Sequence, residues 1–550
     1  CLLSRGLGDV YKRQAWDRVS LGQIKTDRHT SAARMHTSAQ LTHHIPRIYT
    51  MSDTTINRLT MAKAEGKRLR KKVAREDHAT LELPKHRDVL DLIHQRNKGR
   101  IPELIPVRMQ RMSASAFAFF RGSADLMAYD LTASPTIGLN MVLCGDAHLA
   151  NFGLFASPER RVLFDLNDFD ESGIGPWEWD IKRLAASAVL AAREGDVHAD
   201  DDDARDIVIN LVDNYRTAMA NLAEETILDR YYADIDADWL CQHAGDRDQD
   251  LVDRTIDKAR NRTSLQAVRK IATFTDSRGL HFLSDPPLLV PVTDQEEADN
   301  MIASFDTYVR TLPPAANLLL KQFHIVDVAR RVVGVGSVGT HSLVLLLSGP
   351  NDEPLVLQVK EALPSVLTTH GKLPDAFSEL SAGDSSGLLP DNLDKHIKAG
   401  NGYRVVACQQ ILQAHSDPLL GWTRGKDGRG YYWRQFRDMK GSIEIEKLDV
   451  QELKNYCALC ARLLARAHSQ SPNGALVAGY IGSNNDFAKA IAEWAIDYAN
   501  QTYEDFELFR MAIDHGEFEV ADEDADTTDG KSVDAHNGST KSTFDRALGL

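Results

Sequence analysis

The residues best suited to chemistry lie in two nearby stretches, Leu143-Cys-Gly-Asp-Ala-His-Leu-Ala-Asn151 and Val162-Leu-Phe-Asp-Leu-Asn-Asp-Phe-Asp170. Asp146 stands two residues before His148 and five before Asn151; Asp165, Asp168 and Asp170 follow one further strand. A carboxylate that orients a hydroxyl, an amide oxygen and a second carboxylate form a set that can hold Mg²⁺ against a triphosphate. Gly, Asp and Asn also favour turns, so a hairpin with a polar turn is the other reading of the same residues.

Another candidate lies almost two hundred residues later, where Gly334-Val-Gly-Ser-Val-Gly339 fits G-x-G-x-x-G. A dinucleotide-binding turn must run from a strand into a helix. Here His341-Ser-Leu-Val-Leu-Leu-Leu follows and reads as strand. The pattern therefore predicts a glycine hairpin over phosphates, formed by Gly334, Gly336 and Gly339. Lys360, on the next strand, would reach the α- and β-phosphates. A plain hairpin with flexible glycines is the alternative. Arg121 directly follows the aromatic run Phe117-Ala-Phe-Phe. It can reach an anionic ligand bidentately and joins the nucleotide-binding set, or it pairs locally with Asp125. Gly530-Lys-Ser looks like the end of a Walker A motif but has Ala525 where that motif needs Gly, and is discounted.

Positioning these groups needs more than one core, and 550 residues allow it. Hydrophobic residues make up 43% and charged residues 26%, as in ordinary globular chains. The net charge of −15 argues against bulk nucleic-acid binding, and no apolar run is long enough for a membrane span. The six cysteines form no disulfide framework. Cys457 and Cys460 sit inside a helical pattern without a second pair, so they read as small apolar groups, not as a zinc or redox site. A reducing cytoplasm is the expected compartment.

Residues 1–50 are set aside as a non-native or disordered leader: Cys1 to Gln14 resembles translated adapter sequence and has no apolar segment of a signal peptide, and Met51 reads as the start. A basic helical segment covers 51–100, with Pro84, Pro102 and Pro106 marking a linker-like stretch. Helices dominate 101–315, the one that begins near Pro176 being buried, and Asp200–Asp203 favours a helix entry. Strands dominate 316–448, with a loose insertion at 366–400 and a glutamine-faced helix at 402–414. Helices return at 449–512, and 513–550 is an acidic, Ser/Thr/Gly-rich tail expected to be disordered.

With both halves in view, GDAHLAN resembles the catalytic loop of aminoglycoside-phosphotransferase-like kinases, H-G-D-x-H-x-x-N, with Cys144 in place of the leading His. The resemblance implies Asp146 as base or hydroxyl-orienting residue, with His148 beside it as a loop-stabilising hydrogen bonder, and Asn151 as a Mg²⁺ ligand. In those kinases a helix-opening Asp follows the second metal carboxylate by twelve residues; Asp180 follows Asp168 by that spacing. This makes Asp168 the second ligand, Asp165 its rival, and Asp180 a structural anchor of the loop. Leu464-Ala-Arg-Ala-His-Ser469 resembles the helix that normally leads straight into that loop, yet lies near the C-terminus. The motif order thus implies a circular permutation, which compact domains tolerate when their ends lie close.

The span from about Arg68 to Phe509 is identified as a member of the bacterial domain-of-unknown-function 2252 family. The matching residues are RMQRM (108–112), FAFFRG (117–122), CGDAHLANFG (144–153), FDLNDFDES (164–172), PWEWDIKRLAAS (176–187), GVGSVGT (334–340), LQVKEA (357–362) and WRQFRDMKGS (433–442). The expected architecture is α+β: a bilobal, protein-kinase-like fold, circularly permuted, with a mostly helical large lobe and a small antiparallel-sheet lobe. The expected activity is ATP- and Mg²⁺-dependent phosphoryl transfer to a small-molecule or protein hydroxyl. An amine-bearing acceptor would suit the acidic loop by fold analogy alone. Kinases pair the strand lysine with a helix Glu; Tyr403 to Ala414 offers Gln409, Gln410 and Gln413 instead, leaving Glu361 as a possible partner. The alternatives are an inactive nucleotide-binding pseudokinase and, last, a metal-dependent phosphoesterase, whose further Gly-Asp-x-x-Asp and Gly-Asn-His blocks do not occur in the sequence.

Overall fold

Along Pro354–Ala362, Leu357 and Val359 share one parity and Gln358 and Lys360 the other; a strand sends the two sets to opposite faces. In a computed structural model of the chain this strand lies inside a six-stranded antiparallel sheet. The order is Gly421–Arg424, Gly430–Gln435, Pro354–Ala362, Ser342–Ser348, His324–Arg331, Leu289–Pro291. The structure describes residues 54–522, apart from 378–399 and positions 197, 246, 276, 278, 333, 427 and 437. All of these belong to the unit Asp53–Leu550. The leader, most of the loose insertion, Gly530-Lys-Ser and most of the acidic tail lie outside the described residues.

One face of the sheet is apolar throughout. Leu343, Leu345, Leu357, Val359 and Trp433 pack on Phe305 and Tyr308 of the helix Gln295–Thr311. Tyr308 stacks on Trp433 with ring centroids 4.6 Å apart. The other face is divided. Val344, Leu346 and Val356 pack on Val268 and Ile271, whereas Gln358 and Lys360, with their cross-strand partners Arg434 and Tyr432, turn polar groups away from that core. Residues 264–315, grouped with the helical part on sequence, therefore pack against the sheet: their amphipathic stripes match its apolar faces.

The helical body surrounds Glu178–Glu194, buried along nearly its whole length. Val450–Ser469, opened by a capping box between Asp449 and Glu452, lies along it with Asp201–Leu222, which Asp200 caps as its acidic entry predicts. Cys457 and Cys460 are buried apolar contacts of the former helix. The basic segment is a packed helix, Thr54–Leu69, set on Gly474–Ile481. A Cβ at Gly66 or Gly479 would run into the facing backbone, so the crossing needs both glycines. The stretch taken as a linker holds helices Val89–Asn97 and Ile105–Met112; Pro102 and Pro106 fall in first helical turns, where the missing N–H costs nothing. Among the described residues no helix is long and apolar enough to cross a membrane.

One buried pair in this body should be visible in stability. Lys182 Nζ has no hydrogen-bond partner and lies 4.4 Å from the Trp494 ring centroid. Burial lowers its pKa to about 7 and raises that of Glu178 to about 7. An unfolded lysine keeps its proton up to about 10.5, so between 7 and that value the unfolded chain binds more protons, and stability climbs with pH. Because burial without a hydrogen-bond partner dominates at Lys182, Lys182→Met is expected to flatten this rise and to stabilise the protein at pH 7 by about 1 kcal/mol or more. Urea unfolding at pH 7 and pH 9 checks both.

Candidate functional site

Strand register explains why the acidic groups meet. Phe152–Ala156 pairs antiparallel with Val162–Leu166, and Phe152 faces Leu166, so Asn151 and Asn167 leave the hairpin side by side. Asn167 N donates to Asn151 O at 2.9 Å. Before them, Gly145 has φ +78°, and a Cβ there would strike the Glu171 carbonyl, so the turn requires glycine. Asp180, at the start of the buried helix, accepts from the amides of Cys144 (2.8 Å) and Gly145 (3.0 Å). His468 Nε2 lies 3.2 Å from the same carboxylate, and Tyr215 bonds the other ring nitrogen at 2.9 Å. Asp180 is thus the anchor of the loop.

Asn151 Nδ2 donates to Asp146 O (3.1 Å), Asp168 O (3.0 Å) and Cys144 Sγ (3.3 Å). Three acceptors around the nitrogen fix the amide, and its Oδ1 is left buried without a partner. A buried amide oxygen without a donor is chemically suited to a hard cation. Asp168 lines the same cavity, its side chain about half exposed to it at 48%. Burial and neighbouring Asp170 raise its pKa.

Lys360 descends from the sheet into this group. Its Nζ lies 2.6 Å from Asp170 Oδ2 and 4.0 Å from Asp168 Oδ2. Burial disfavours the ammonium, but Asp168 and Asp170 outweigh it and hold its pKa above the ordinary value. Asp170 moves the other way: burial raises it, and Lys360 and Tyr432 together pull it below the usual range. Tyr432, directly across the strand from Lys360, donates to Asp170 Oδ1 at 2.6 Å. Arg434 donates to Gln358 Oε1 at 3.0 Å and to Asn167 O at 3.4 Å. Glu361, the partner considered on sequence, is taken instead by Arg429 (3.2 Å) and the His341 amide (3.2 Å). The helix Gly400–Leu412 presents Gln409 to the cavity, its Oε1 buried and unpaired, while Gln410 is exposed and Gln413 bonds Leu166 O.

The glycine segment does form a hairpin between His324–Arg331 and Ser342–Ser348, with φ +70° at Gly334 and +87° at Gly339. Gly334 and Gly336 line the cavity. Gly339 packs instead on the Arg100 side chain, where a Cβ would come within 3.1 Å. Arg100 donates to Gly336 O at 2.9 Å and to Val338 O, and Arg111 donates to Gly334 O. The hairpin is clamped by arginines, so its conformation is set before any ligand arrives.

On the far side of the loop, Asp146 Oδ1 receives both Nε and Nη2 of Arg183 at 2.8 Å. His148 Nε2 stands 3.7 Å from Asp146 Oδ2, and its Nδ1 is buried without a partner. Burial, then Arg121 and Arg183, push the His148 pKa well down, so the ring is neutral. Arg121 lines the cavity, where Asp146 and Glu446 act on it, while Asp125 acts on Arg96, Arg100 and Arg108. Its Nε is buried and unpaired.

Asp165 does not join the set. It is 1% exposed, with Oδ1 on the Leu166 amide and Oδ2 on the Ala414 amide, both at 2.8 Å. Lying inside its strand, it ties the hairpin to the end of the glutamine-faced helix; Asp168 and Asp170, beyond the strand, reach the cavity. Sequence reasoning missed the roles of Asp170, Tyr432, Arg434 and Arg183. The parity of Tyr432 and Arg434 with Lys360 across the strand pair was the signal for two of them; nothing local marks Arg183.

The cavity measures 720 Å³ and opens between the sheet and the helical body. Among the described residues no three His, Cys, Asp or Glu gather as a metal site. Two carboxylates and a free amide oxygen nonetheless fit Mg²⁺, which binds through one or two carboxylates with the remainder supplied by phosphate and water. Residues 100–512 match the family described as an uncharacterized protein conserved in bacteria, DUF2252. No curated protein and no solved structure matches the chain.

Proposed function

We propose, from the premise that the chain belongs to the DUF2252 family, that it is an ATP- and Mg²⁺-dependent phosphotransferase with a circularly permuted, bilobal kinase-like architecture. The observation that carries this reading is the meeting of Lys360 with Asp170 at 2.6 Å across 190 residues of chain, in one cavity with Asp146, Asn151 and Asp168. The permutation is supported by the seam between the two ends. Val142 N donates to Ser471 Oγ at 3.1 Å, and Asn473 Nδ2 to Asn140 O at 3.0 Å, so the helix ending at Ser469 abuts the strand that would follow it in an unpermuted kinase.

Magnesium-bound ATP would supply the transferable phosphoryl group and the divalent charge that offsets its oxygens. Asn151 Oδ1 and Asp168 would hold the ion, with Asp170 shared between it and Lys360. Lys360 would exchange part of its bond to Asp170 for phosphate oxygens, and Gly334 and Gly336 would let the hairpin backbone lie close over them. Arg183 pins one oxygen of Asp146, which leaves Oδ2 to accept the hydrogen bond of an incoming hydroxyl.

Titration of Mg²⁺-nucleotide into wild type, Asp168→Ala and Lys360→Ala tests the reading. Wild type should bind, and each variant should bind at least about tenfold more weakly. Undetectable binding by all three would sink it. Gln409 in place of the usual Glu favours a second reading, a protein that holds nucleotide without transferring phosphate. It predicts thermal stabilisation by ATP with no release of ADP in the presence of any acceptor.

A further inference from the structure

Asp146 has two guanidinium groups near it, Arg183 and Arg121. Its carboxylate is already neutralised by Arg183, which also donates to Phe120 O at 2.7 Å and lies over the Phe120 ring, 3.7 Å from its centroid. His148 adds no negative charge, since imidazole is either neutral or cationic. Arg121 is a second cation at this corner; Asp146 and Glu446 act on it electrostatically, yet its buried Nε has no hydrogen-bond partner. Its neighbours are otherwise engaged: Arg96 pairs with Glu171, and Arg100 with the hairpin carbonyls. A buried N–H without an acceptor is costly, and the cost is recovered when an anionic oxygen arrives to accept from it. The phosphates of a nucleotide already have cations, Lys360 and Arg434, beside Asp168 and Asp170. Arg121, whose carbonyl lies against Gly336 of the hairpin, shares the cavity wall with Asp146 and His148, where the hydroxyl would react.

We propose that the acceptor carries an anionic group, a carboxylate or a phosphate monoester, close to its reacting hydroxyl, and that Arg121 holds this group against the cavity wall beside Asp146. This rests on the phosphotransferase reading and sharpens it. The amine-bearing acceptor suggested by the acidic loop meets an Asp146 already paired with Arg183 and a second guanidinium beside it, and is disfavoured.

The test uses the full chain saturated with Mg²⁺ and a non-hydrolysable ATP analogue, into which glycerate, glycerol 3-phosphate, glycerol and ethanolamine are titrated calorimetrically. At least one of the two anions should bind at least about tenfold more tightly than glycerol or ethanolamine. Which anion leads separates a carboxylate from a phosphate. R121Q should remove that preference, and R121K, which keeps the charge, should retain it within about threefold. Melting curves of both variants confirm that they are folded. Wild type that binds nucleotide but shows no anion preference overturns the inference alone, as does R121Q with the preference intact. Wild type that fails to bind the nucleotide overturns the phosphotransferase reading and this inference with it.

Discussion

Lys360→Met is expected to abolish Mg²⁺-nucleotide binding at accessible concentrations and to lower phosphoryl transfer by about 10²–10³-fold, the effect of removing one preorganised donor from developing charge. It should also destabilise the fold. Lys360 is 2% exposed and neutralises Asp170 at 2.6 Å and Asp168 at 4.0 Å. Without it Asp170, 23% exposed, loses its partner and faces the half-exposed Asp168, a loss of about 1–3 kcal/mol after solvent screening. One of them should then take up a proton, so the variant should regain stability as the pH falls. The wild-type pair behaves oppositely. Asp170 is held below its ordinary range, so its contribution is present above the unfolded carboxylate pKa and is lost as pH drops through the folded value. Adding Asp170→Asn to Lys360→Met should restore most of the stability and none of the nucleotide binding. Urea unfolding with calorimetric titration separates the two effects; a double variant that binds nucleotide like wild type would remove Lys360 from the site.

Asp180→Ala should be the most damaging change that touches no ligand. The carboxylate is 1% exposed and satisfies the amides of Cys144 and Gly145 as well as His468 Nε2. Its removal leaves two buried N–H groups and an imidazole without their acceptor, each costing about 1–3 kcal/mol. A loss of about 3–5 kcal/mol is expected, read as a lowered urea midpoint. Asp180→Asn retains one acceptor oxygen and should lose roughly half as much. If Asp180→Ala unfolds like wild type, the loop is held by something other than this carboxylate, and the join between Val450–Ser469 and the acidic loop loses its keystone.

Much of this site could be read before any fold was known. The apolar run around Lys360 made it a strand residue and the strand after Gly339 made the glycine motif a hairpin, while the resemblance to the kinase loop implied Asp180 as its anchor. The first two are local signals, fixed by neighbours a few residues away. The pairing of Lys360 could not be read that way, because Asp170 and Glu361 are equally good acceptors on paper; the sheet sends Lys360 and Glu361 to opposite faces, and Arg429 takes the glutamate. Asp165 and Asp168 were likewise indistinguishable by composition. One residue of strand more or less decided between an oxygen tied to backbone amides and one that faces a cavity.

By itself, then, the sequence determined the chemical inventory and most of the elements: the acidic loop, the glycine hairpin, the lysine strand, the buried and amphipathic helices. Tertiary structure alone decided which charges meet. The reason is that secondary structure follows from periodicity over a few residues, whereas an ion pair such as Lys360 with Asp170, or the unpaired Arg121 Nε beside Asp146, depends on how separate elements pack. A difference of a few ångströms there changes an electrostatic energy severalfold in a low-dielectric cavity.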